Sequence, residues 1–567
     1  MIGVICNPEQ RPVAEEFFQL FKTPWEFYRP GEAYDVILTT AARPPEGDAK
    51  LVLIFGSEVK SCDRTADLEP RLHERGTLLN SKAGQFPLYG EALLFAPGQH
   101  PVVCSTAESD ILGVEIRSGN RTLVRLGYDL FHEIEFLLAT GQSLEHASVP
   151  TLELHIALLR EIIVGAGIPI LEIAPSPAGY DFAVCLTHDI DFVGIRRHKF
   201  DHTMWGFLYR STVGAIRDVV ARKLSLGGLW KRWKAAATLP LIHLGWAEDF
   251  WMPFEWYMKL EKDLSATWYF IPFKGRAGEK VSVSHAERRA CAYDITDIPE
   301  WIQRLKAEGC EIGVHGIDAW HSVEKGREER QQIAKTTGDA APGIRMHWLL
   351  RDEETCAVLE KAGFAYDSTN GYNEVPGYRA GTSQVFRPLN ARELLELPMH
   401  IQDGALFFQK RAGLSEPEAW ERCQSFIANS RRFGGVLTLL WHDRSFGPER
   451  FWGDFYVRLV ERLKTLPVWF ATGSQLTSWF RLRRAVKFER LPAAAGNQRV
   501  KLCRASHRIN PPLRVRVYSS GSEAGGFSEF SWDGANDVSP AEMASPAVEP
   551  RSKVSQEAEV GAALSLT

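Results

Sequence analysis

Cysteine is scarce and dispersed: nine are spread over 567 residues, with no C-x-x-C pair among them. That argues against a Cys-rich zinc module or a dense disulfide framework, and the thiols read as small buried hydrophobes or free thiols in a reducing compartment. Long apolar runs are missing too. No stretch reaches roughly 18 apolar residues, so no membrane-spanning helix is expected. The opening segment MIGVICNPEQ has no charged stretch leading into a long apolar one, so no secretory signal is read and a cytoplasmic location is expected. Nor is positive charge in excess. Lys and Arg total 66 against 71 Asp and Glu, a net charge of −5, which excludes an overall basic field for nucleic acid. What is present is 45% hydrophobic and 24% charged, the balance of a mostly globular chain with room for two to four domains.

Residues 1–130 alternate short apolar runs with polar helical stretches. Strands are expected at Ile2–Cys6, Asp35–Leu38, Leu51–Phe55 and Pro101–Cys104, and a helix at Pro12–Phe21. This predicts a small α/β domain, without a phosphate-binding glycine fingerprint and with no readable function. Residues 131–178 read as a helical connector, with helical patterns at Leu130–Leu138 and Leu152–Val164. Pro169, Pro175 and Pro177 mark a boundary at its end. From 179 to 484, strands at Phe182–Leu186, Thr267–Ile271, Glu311–Val314, Ile344–Trp348, Leu395–Met399, Val436–Trp441 and Val468–Ala471 alternate with helical patterns such as Pro299–Lys306, Arg327–Thr336, Glu353–Lys361 and Glu416–Asn429. That order predicts a parallel (β/α) barrel. Residues 485–567 hold short β segments such as Arg514–Tyr518, then a Ser-, Ala-, Glu- and Pro-rich tail from about Asp537 that is expected to be disordered.

An insertion at 192–250 interrupts the barrel. It is rich in aromatic and basic residues, among them Trp205, Phe207, Tyr209, Trp230, Lys231, Arg232, Trp233 and Trp246. It reads either as an extra helical subdomain packed on the barrel, or as a lid or surface touching lipid or a lipid-linked substrate. Helices with Trp and Lys/Arg do lie on membranes.

Four segments pair an apolar strand with polar residues at its end. They are Thr187–Asp191, His315–His321, Gly343–Trp348 and Trp441–Asp443. Side chains at the carboxyl ends of parallel strands converge on one face of such a barrel. Asp189 and Asp191 flank one residue and would share a side of a regular strand. Two carboxylates that close need a cation or proton between them, which fits one metal ligand and one general base; a capping pair is the alternative. His315 ends another strand and His321 lies six residues on. With a strand-end carboxylate they would suit zinc or another divalent ion acting on water, and Asp318 is a competing ligand. Arg345 would hold Asp189 ionised and oriented, or form an ordinary salt bridge. His347 reads as supporting the ligands, contacting substrate or packing in the core. His442 suits delivery of a proton to a leaving amine, oriented by Trp441 and Asp443, with a packing role as the alternative.

These segments resemble the polysaccharide deacetylase family, the NodB-homology fold of carbohydrate esterase family 4. Thr187-His188-Asp189-Ile190-Asp191 is similar to the family's first motif and Glu311-Ile312-Gly313-Val314-His315 to its second. Gly343-Ile344-Arg345 is placed like its arginine motif, and Leu439-Leu440-Trp441-His442 resembles its last histidine motif. Val468–Thr472 and Tyr366-Asp367-Ser368 are further familiar features. The resemblance covers about 180–482 and implies a distorted barrel. It implies Asp189 as catalytic base, Asp191, His315 and a second His as metal ligands, Arg345 as tether of the base and His442 as acid. The family spaces its second-motif histidines four apart, and that position here is Ala319, so His321 stands in as the expected third ligand. The implied activity is divalent-metal-dependent removal of N-acetyl groups from a sugar or polysaccharide intermediate, with zinc the expected ion. An O-deacetylase, another amide hydrolase on the same site, or an inactive glycan-binding barrel are the alternatives. The expected partner is an N-acetylated carbohydrate, lipid-linked if the insertion touches membrane.

Overall fold

The computed structural model describes residues 1–41, 49–98, 100–119, 121–222, 224–280, 289–494, 497–519 and 526–539. The tail expected to be disordered lies, apart from 537–539, outside these residues.

The N-terminal region is built on one mixed eleven-stranded sheet. Its parallel part contains the expected strands, at Ile2–Ile5, Val36–Thr39 and Leu51–Phe55, flanked by Trp25–Phe27 and Arg121–Leu126. The helix Arg11–Phe21 places Pro12 in its first turn, where no amide partner is lost, and buries Val13, Phe17 and Phe21. The antiparallel part comprises Pro70–Arg75, Leu78–Ser81, Gly84–Pro87, Glu91–Phe95, Val102–Thr106 and Ile111–Ser118, of which only the Val102 strand was anticipated. Half-exposed antiparallel strands carry polar residues on one face, so their apolar signal is diluted.

Connector helices run over Leu130–Ala139 and Thr151–Gly165. The proline cluster after them does not break the chain into a linker. Ile170–Pro177 is a buried strand, pairing antiparallel with Leu513–Tyr518, which in turn pairs with Phe527–Trp532. Prolines are tolerated because this is the edge strand of its sheet, with a register shift between Ile173 and Pro177. The end of the barrel also locks onto the N-terminal region. Buried Glu16 pairs with Arg484 at 2.7 Å, and Arg483 donates to the carbonyls of Gln19, Leu20, Ile173 and Ala174.

The barrel sheet is parallel throughout. Its order is Leu395–Glu396, Tyr366–Asp367, Ile344–Met346, Glu311–Gly316, Ala266–Phe270, Phe182–Ile190, Val436–Leu440 and Ile401–Gln402, with Val468–Phe470 also on the Phe182 strand. All nine residues of Phe182–Ile190 are buried, as a central parallel strand covered on both faces requires. The first and last strands in this order are two residues long and are joined by 397–400. That segment bridges the gap itself: Leu397 and Met399 donate to the carbonyls of Asp367 and Asn370 on one edge, and His400 donates to Thr438 on the other. The barrel is therefore closed by single hydrogen bonds, not by a ladder, which is the distortion expected of it.

The 192–250 insertion is helical, with helices at His202–Tyr209, Ala215–Val220 and Leu226–Leu244. Its own small core joins Ile195, Met204, Phe207, Leu239, Ile242 and Trp251. Among the described residues, no helix is long and apolar enough to cross a membrane.

Candidate active site

Strand alternation sorts the first motif. Thr187 and Asp189 face the barrel interior, whereas His188 faces outward. There its Nδ1 donates to the Trp441 carbonyl at 2.9 Å and its Nε2 lies 3.0 Å from Glu261. Arg345 reaches across the interior from the Ile344–Met346 strand. Its Nη1 donates to Asp189 Oδ1 at 3.0 Å and to Thr187 Oγ1 at 2.7 Å, Nη2 donates to Ser368 Oγ at 2.9 Å, and Nε donates to the Ser368 carbonyl at 3.0 Å. The guanidinium lies 4.6 Å over the Tyr269 ring. Arg345 is wholly buried, so each of these bonds is needed to offset its desolvation. One oxygen of Asp189 is fixed by the arginine, and the other, Oδ2, lies 3.9 Å from His315.

Asp191, His315 and His347 form the second cluster. Asp191 Oδ1 is 3.3 Å from His315 Nε2 and 3.1 Å from His347 Nδ1, and the two imidazole nitrogens are 2.9 Å apart. Ligand bonds of about 2.05 Å in a tetrahedral zinc site place neighbouring donor atoms about 3.3 Å apart. The three atoms thus already form one face of a coordination polyhedron. The protonation states agree. His315 Nδ1 donates to the Arg345 carbonyl at 3.0 Å, which leaves Nε2 with its lone pair. Burial pushes His347 down to about 4, against the pull of Asp191, so its imidazole is neutral at pH 7. Burial alone would raise Asp191, but His347 and His315 outweigh it and hold the carboxyl well below its usual range. One carboxylate oxygen and two imidazole nitrogens fit a borderline divalent ion.

His321, the expected third ligand, is not in this cluster. Its Nε2 is 3.2 Å from Asp318 Oδ1, and Asp318 Oδ1 also accepts from the Glu279 amide at 2.8 Å. The cause is the loop path. The amides of Ile317 and Asp318 both donate to buried Glu329 on the helix Val323–Thr337, at 2.9 and 2.7 Å. They turn the chain away from the strand end before His321. His347 occupies the place instead, two residues beyond Arg345. Left-handed backbone at Trp348 and Leu349, with φ of 65° and 53°, turns the chain immediately after it.

His442 completes the site. Its Nδ1 lies 2.6 Å from Asp403 Oδ1, and its amide donates to Asp403 Oδ2 at 2.8 Å. Ser445 Oγ also donates to Asp403 Oδ2. Burial would lower the imidazole, but the fully buried Asp403 carboxylate raises it to about 9, so it is protonated at neutral pH. Trp441 and Asp443 do not orient it, contrary to expectation. The Trp441 carbonyl serves His188, and its ring stacks on Tyr456. Asp443 accepts from the Phe192 amide at 2.9 Å and is pushed well above the carboxylate range by burial and by Asp191. Asp403 was missed because it follows a two-residue strand, Ile401–Gln402, too short to show in the sequence. Pairing of Ile401 and Gln402 with Leu439 and Leu440 brings it beside His442.

Asp189, Asp191, His315, His347 and His442 line one cavity of about 180 Å³, together with Trp348, Phe408, Arg411 and Arg450. This is below the roughly 300–1,000 Å³ of pockets that enclose drug-sized ligands, so it takes a small group or one ring of a larger molecule. A wider cleft of about 420 Å³, lined by Glu15, Arg387, Arg392 and Arg484 among others, lies elsewhere. It contains neither cluster of metal-ligand atoms found among the described residues, so the chemistry is assigned to the smaller cavity.

No protein-family model matches the chain, and no curated protein matches it. Solved structures similar to it include polysaccharide deacetylases, the family that its motifs resemble. A protein described as a polysaccharide deacetylase from Mycobacterium smegmatis is 18% identical, with 57% of this chain and 99% of that one covered and a TM-score of 0.33. The carbohydrate deacetylase Agd3 is 8% identical, with 95% of this chain and 99% of that one covered and a TM-score of 0.36. A mutant of BA3943, a CE4 family pseudoenzyme, is 10% identical, with 54% and 72% covered and a TM-score of 0.26. At these identities and TM-scores the likeness carries no argument about chemistry, which rests on the residues of the cavity.

Proposed function

We propose that this chain is a metal-dependent hydrolase that removes an N-acetyl group from a sugar or polysaccharide intermediate. The observation that carries this reading is the Asp191–His315–His347 donor triangle, set in one cavity with an arginine-held carboxylate and a carboxylate-held histidine. Asp191, His315 and His347 would hold the ion, with zinc the best fit to their donor atoms. Such an ion supplies a lowered water pKa and a positive charge for the developing oxyanion. Asp189, kept ionised and aimed by Arg345, takes the proton of the attacking water on Oδ2. His442 arrives protonated. With Nδ1 committed to Asp403, Nε2 is the nitrogen that gives a proton to the departing amine. Roles are thereby divided between a base whose charge is fixed by an arginine and an acid whose proton is held by an aspartate.

The test is release of acetate and of free amine from N-acetylated oligosaccharides by zinc-loaded protein. Matched release is expected, with a loss of about 10²–10⁴-fold in Asp189→Asn. Acetate without amine would make the chain an O-deacetylase, and full activity in Asp189→Asn would remove the proposed base.

Membrane contact through the insertion belongs to the same proposal. Residues 192–250 carry ten Lys and Arg against four Asp and Glu, while the whole chain has a net charge of −5. Among the described residues, twelve of the eighteen exposed large apolar side chains lie there. A basic, Trp-bearing helical surface is what an anionic lipid interface attracts. It supports a lipid-linked substrate met at the membrane surface. Nine free cysteines support a cytoplasmic location.

A further inference from the structure

The cavity wall carries two cations that the deacetylation chemistry does not use. Arg411 and Arg450 both line it, and both lie over the same ring, with the guanidinium carbons 5.2 and 5.0 Å from the centroid of Phe408. Arg450 is also 5.0 Å from the Trp452 ring. Neither forms an ion pair with a described residue. Among the described residues the one side-chain hydrogen bond of Arg411 is a long one, Nη1 to Gln402 Oε1 at 3.4 Å. This contrasts with Arg444 nearby, whose charge is met by Glu449 at 3.0 Å, and with Arg345, met by Asp189. The structure makes room for the arrangement: a Cβ at Gly404 would fall 2.6 Å from Arg411 Nη1.

Both are half-buried, and the carboxylates that act on them, Asp403 and Glu374 on Arg411 and Glu449, Asp403 and Asp443 on Arg450, form no direct ion pair with them; partial burial of a guanidinium without such a pair is costly. Burial and the neighbouring Arg444 depress Arg450 to about 10, against the pull of Glu449, Asp403 and Asp443. A ligand oxyanion would offset that cost, and a planar guanidinium meets a carboxylate or phosphate through two parallel hydrogen bonds. The Phe408 and Trp452 faces would hold both forks in place.

We propose that Arg411 and Arg450 form an anion subsite, so that the substrate is an acidic amino sugar: one that bears a carboxylate or phosphate group as well as its acetamide. This rests on the hydrolase reading for the acetamide end, while the anion subsite itself stands on the arginine pair.

The test compares kcat/KM of the zinc-loaded full chain on N-acetylglucosamine, N-acetylglucosamine 6-phosphate and N-acetylglucosaminuronic acid. The charged probes are expected to exceed the neutral one by about tenfold or more, the worth of one charge-assisted hydrogen-bonded contact. The probe with the higher value identifies phosphate or carboxylate as the natural group. In the Arg411→Gln/Arg450→Gln double variant the charged-to-neutral ratio should collapse towards unity. A wild-type ratio of unity, or a ratio unchanged in the variant, overturns the proposal. If no probe is hydrolysed, the hydrolase reading fails, and the subsite is then judged by calorimetric titration of inorganic phosphate and glucuronate into metal-stripped protein. Binding weakened about tenfold or more in the double variant supports it, and equal or absent binding overturns it. Should the glutamine pair not fold, Arg411→Lys/Arg450→Lys, which keeps the charge and loses the fork, takes its place. A reduced ratio then supports the subsite and an unchanged ratio overturns it.

Discussion

At the carboxyl ends of the barrel strands, Asp189 is 2% exposed, His347 4% and Arg345 not at all, whereas in the 192–250 insertion Phe200 is 81% exposed, Trp246 76% and Trp230 67%. Polar groups are inside in one place and apolar groups are outside in the other. The strand ends tolerate burial because their polar groups are answered: Asp189 by Arg345, His442 by Asp403, and His188 by hydrogen bonds to the Trp441 carbonyl and Glu261. The Asp191–His315–His347 face differs in kind, since three possible metal-ligand atoms converge there. The insertion has no such internal answer for its apolar side chains, since its core is small. Where a region satisfies itself, substitution should cost stability or chemistry. Where it does not, substitution should cost only an interaction with something outside the chain.

The largest effect expected on that comparison is at Arg345. Arg345→Met leaves Asp189 buried without its counter-charge, which costs about 3–5 kcal/mol of stability; urea denaturation would measure it, and a loss below about 1 kcal/mol would mean the network is not self-supporting. Next, elemental mass spectrometry should find about one divalent ion per zinc-loaded chain. His347→Ala should lose that ion, whereas His321→Ala should keep it, because His321 is committed to Asp318. The reverse pattern would return the third ligand to the loop.

A smaller effect is expected at Asp403. In metal-free protein the His442 imidazole should titrate near 9 by NMR, and in Asp403→Asn it should fall towards the ordinary value of about 6.5. The folded value lies above the unfolded one, so the pair's contribution to stability is full below about pH 6.5 and is lost as the pH rises through about 9. Asp403→Asn should therefore destabilise the protein more at pH 6 than at pH 10. Smallest of all, Trp230→Ser/Trp246→Ser should lower co-sedimentation with vesicles containing phosphatidylserine, while stability shifts by no more than about 0.5 kcal/mol. Equal sedimentation of variant and wild type would mean that these side chains touch no membrane.

Much of the site was legible because strand-end residues are marked by the apolar run before them. Asp189, Asp191, His315, Arg345 and His442 each follow or close such a run, and the structure brings four of them to one cavity, with Arg345 behind Asp189. His347 was visible as a strand-end imidazole, but its choice over His321 was not. That choice depends on Glu329, which takes the amides of Ile317 and Asp318 and swings His321 aside. Asp403 and the pair Arg411 and Arg450 had no periodic signal. Asp403 opens a short helix after a two-residue strand, which pairing with Leu439 and Leu440 brings beside His442, and the arginines lie on loops.

The sequence by itself determined the alternation of strand and helix, the parallel sheet and most of the candidate-site side chains. These follow from local periodicity and from which residue types end each strand. Tertiary structure alone decided the third member of the donor triangle, the partner of His442 and the arginines that line the cavity. Each of those contacts joins residues far apart in the chain, or turns on a loop whose path is set by a buried hydrogen bond, and neither kind of information is carried by spacing.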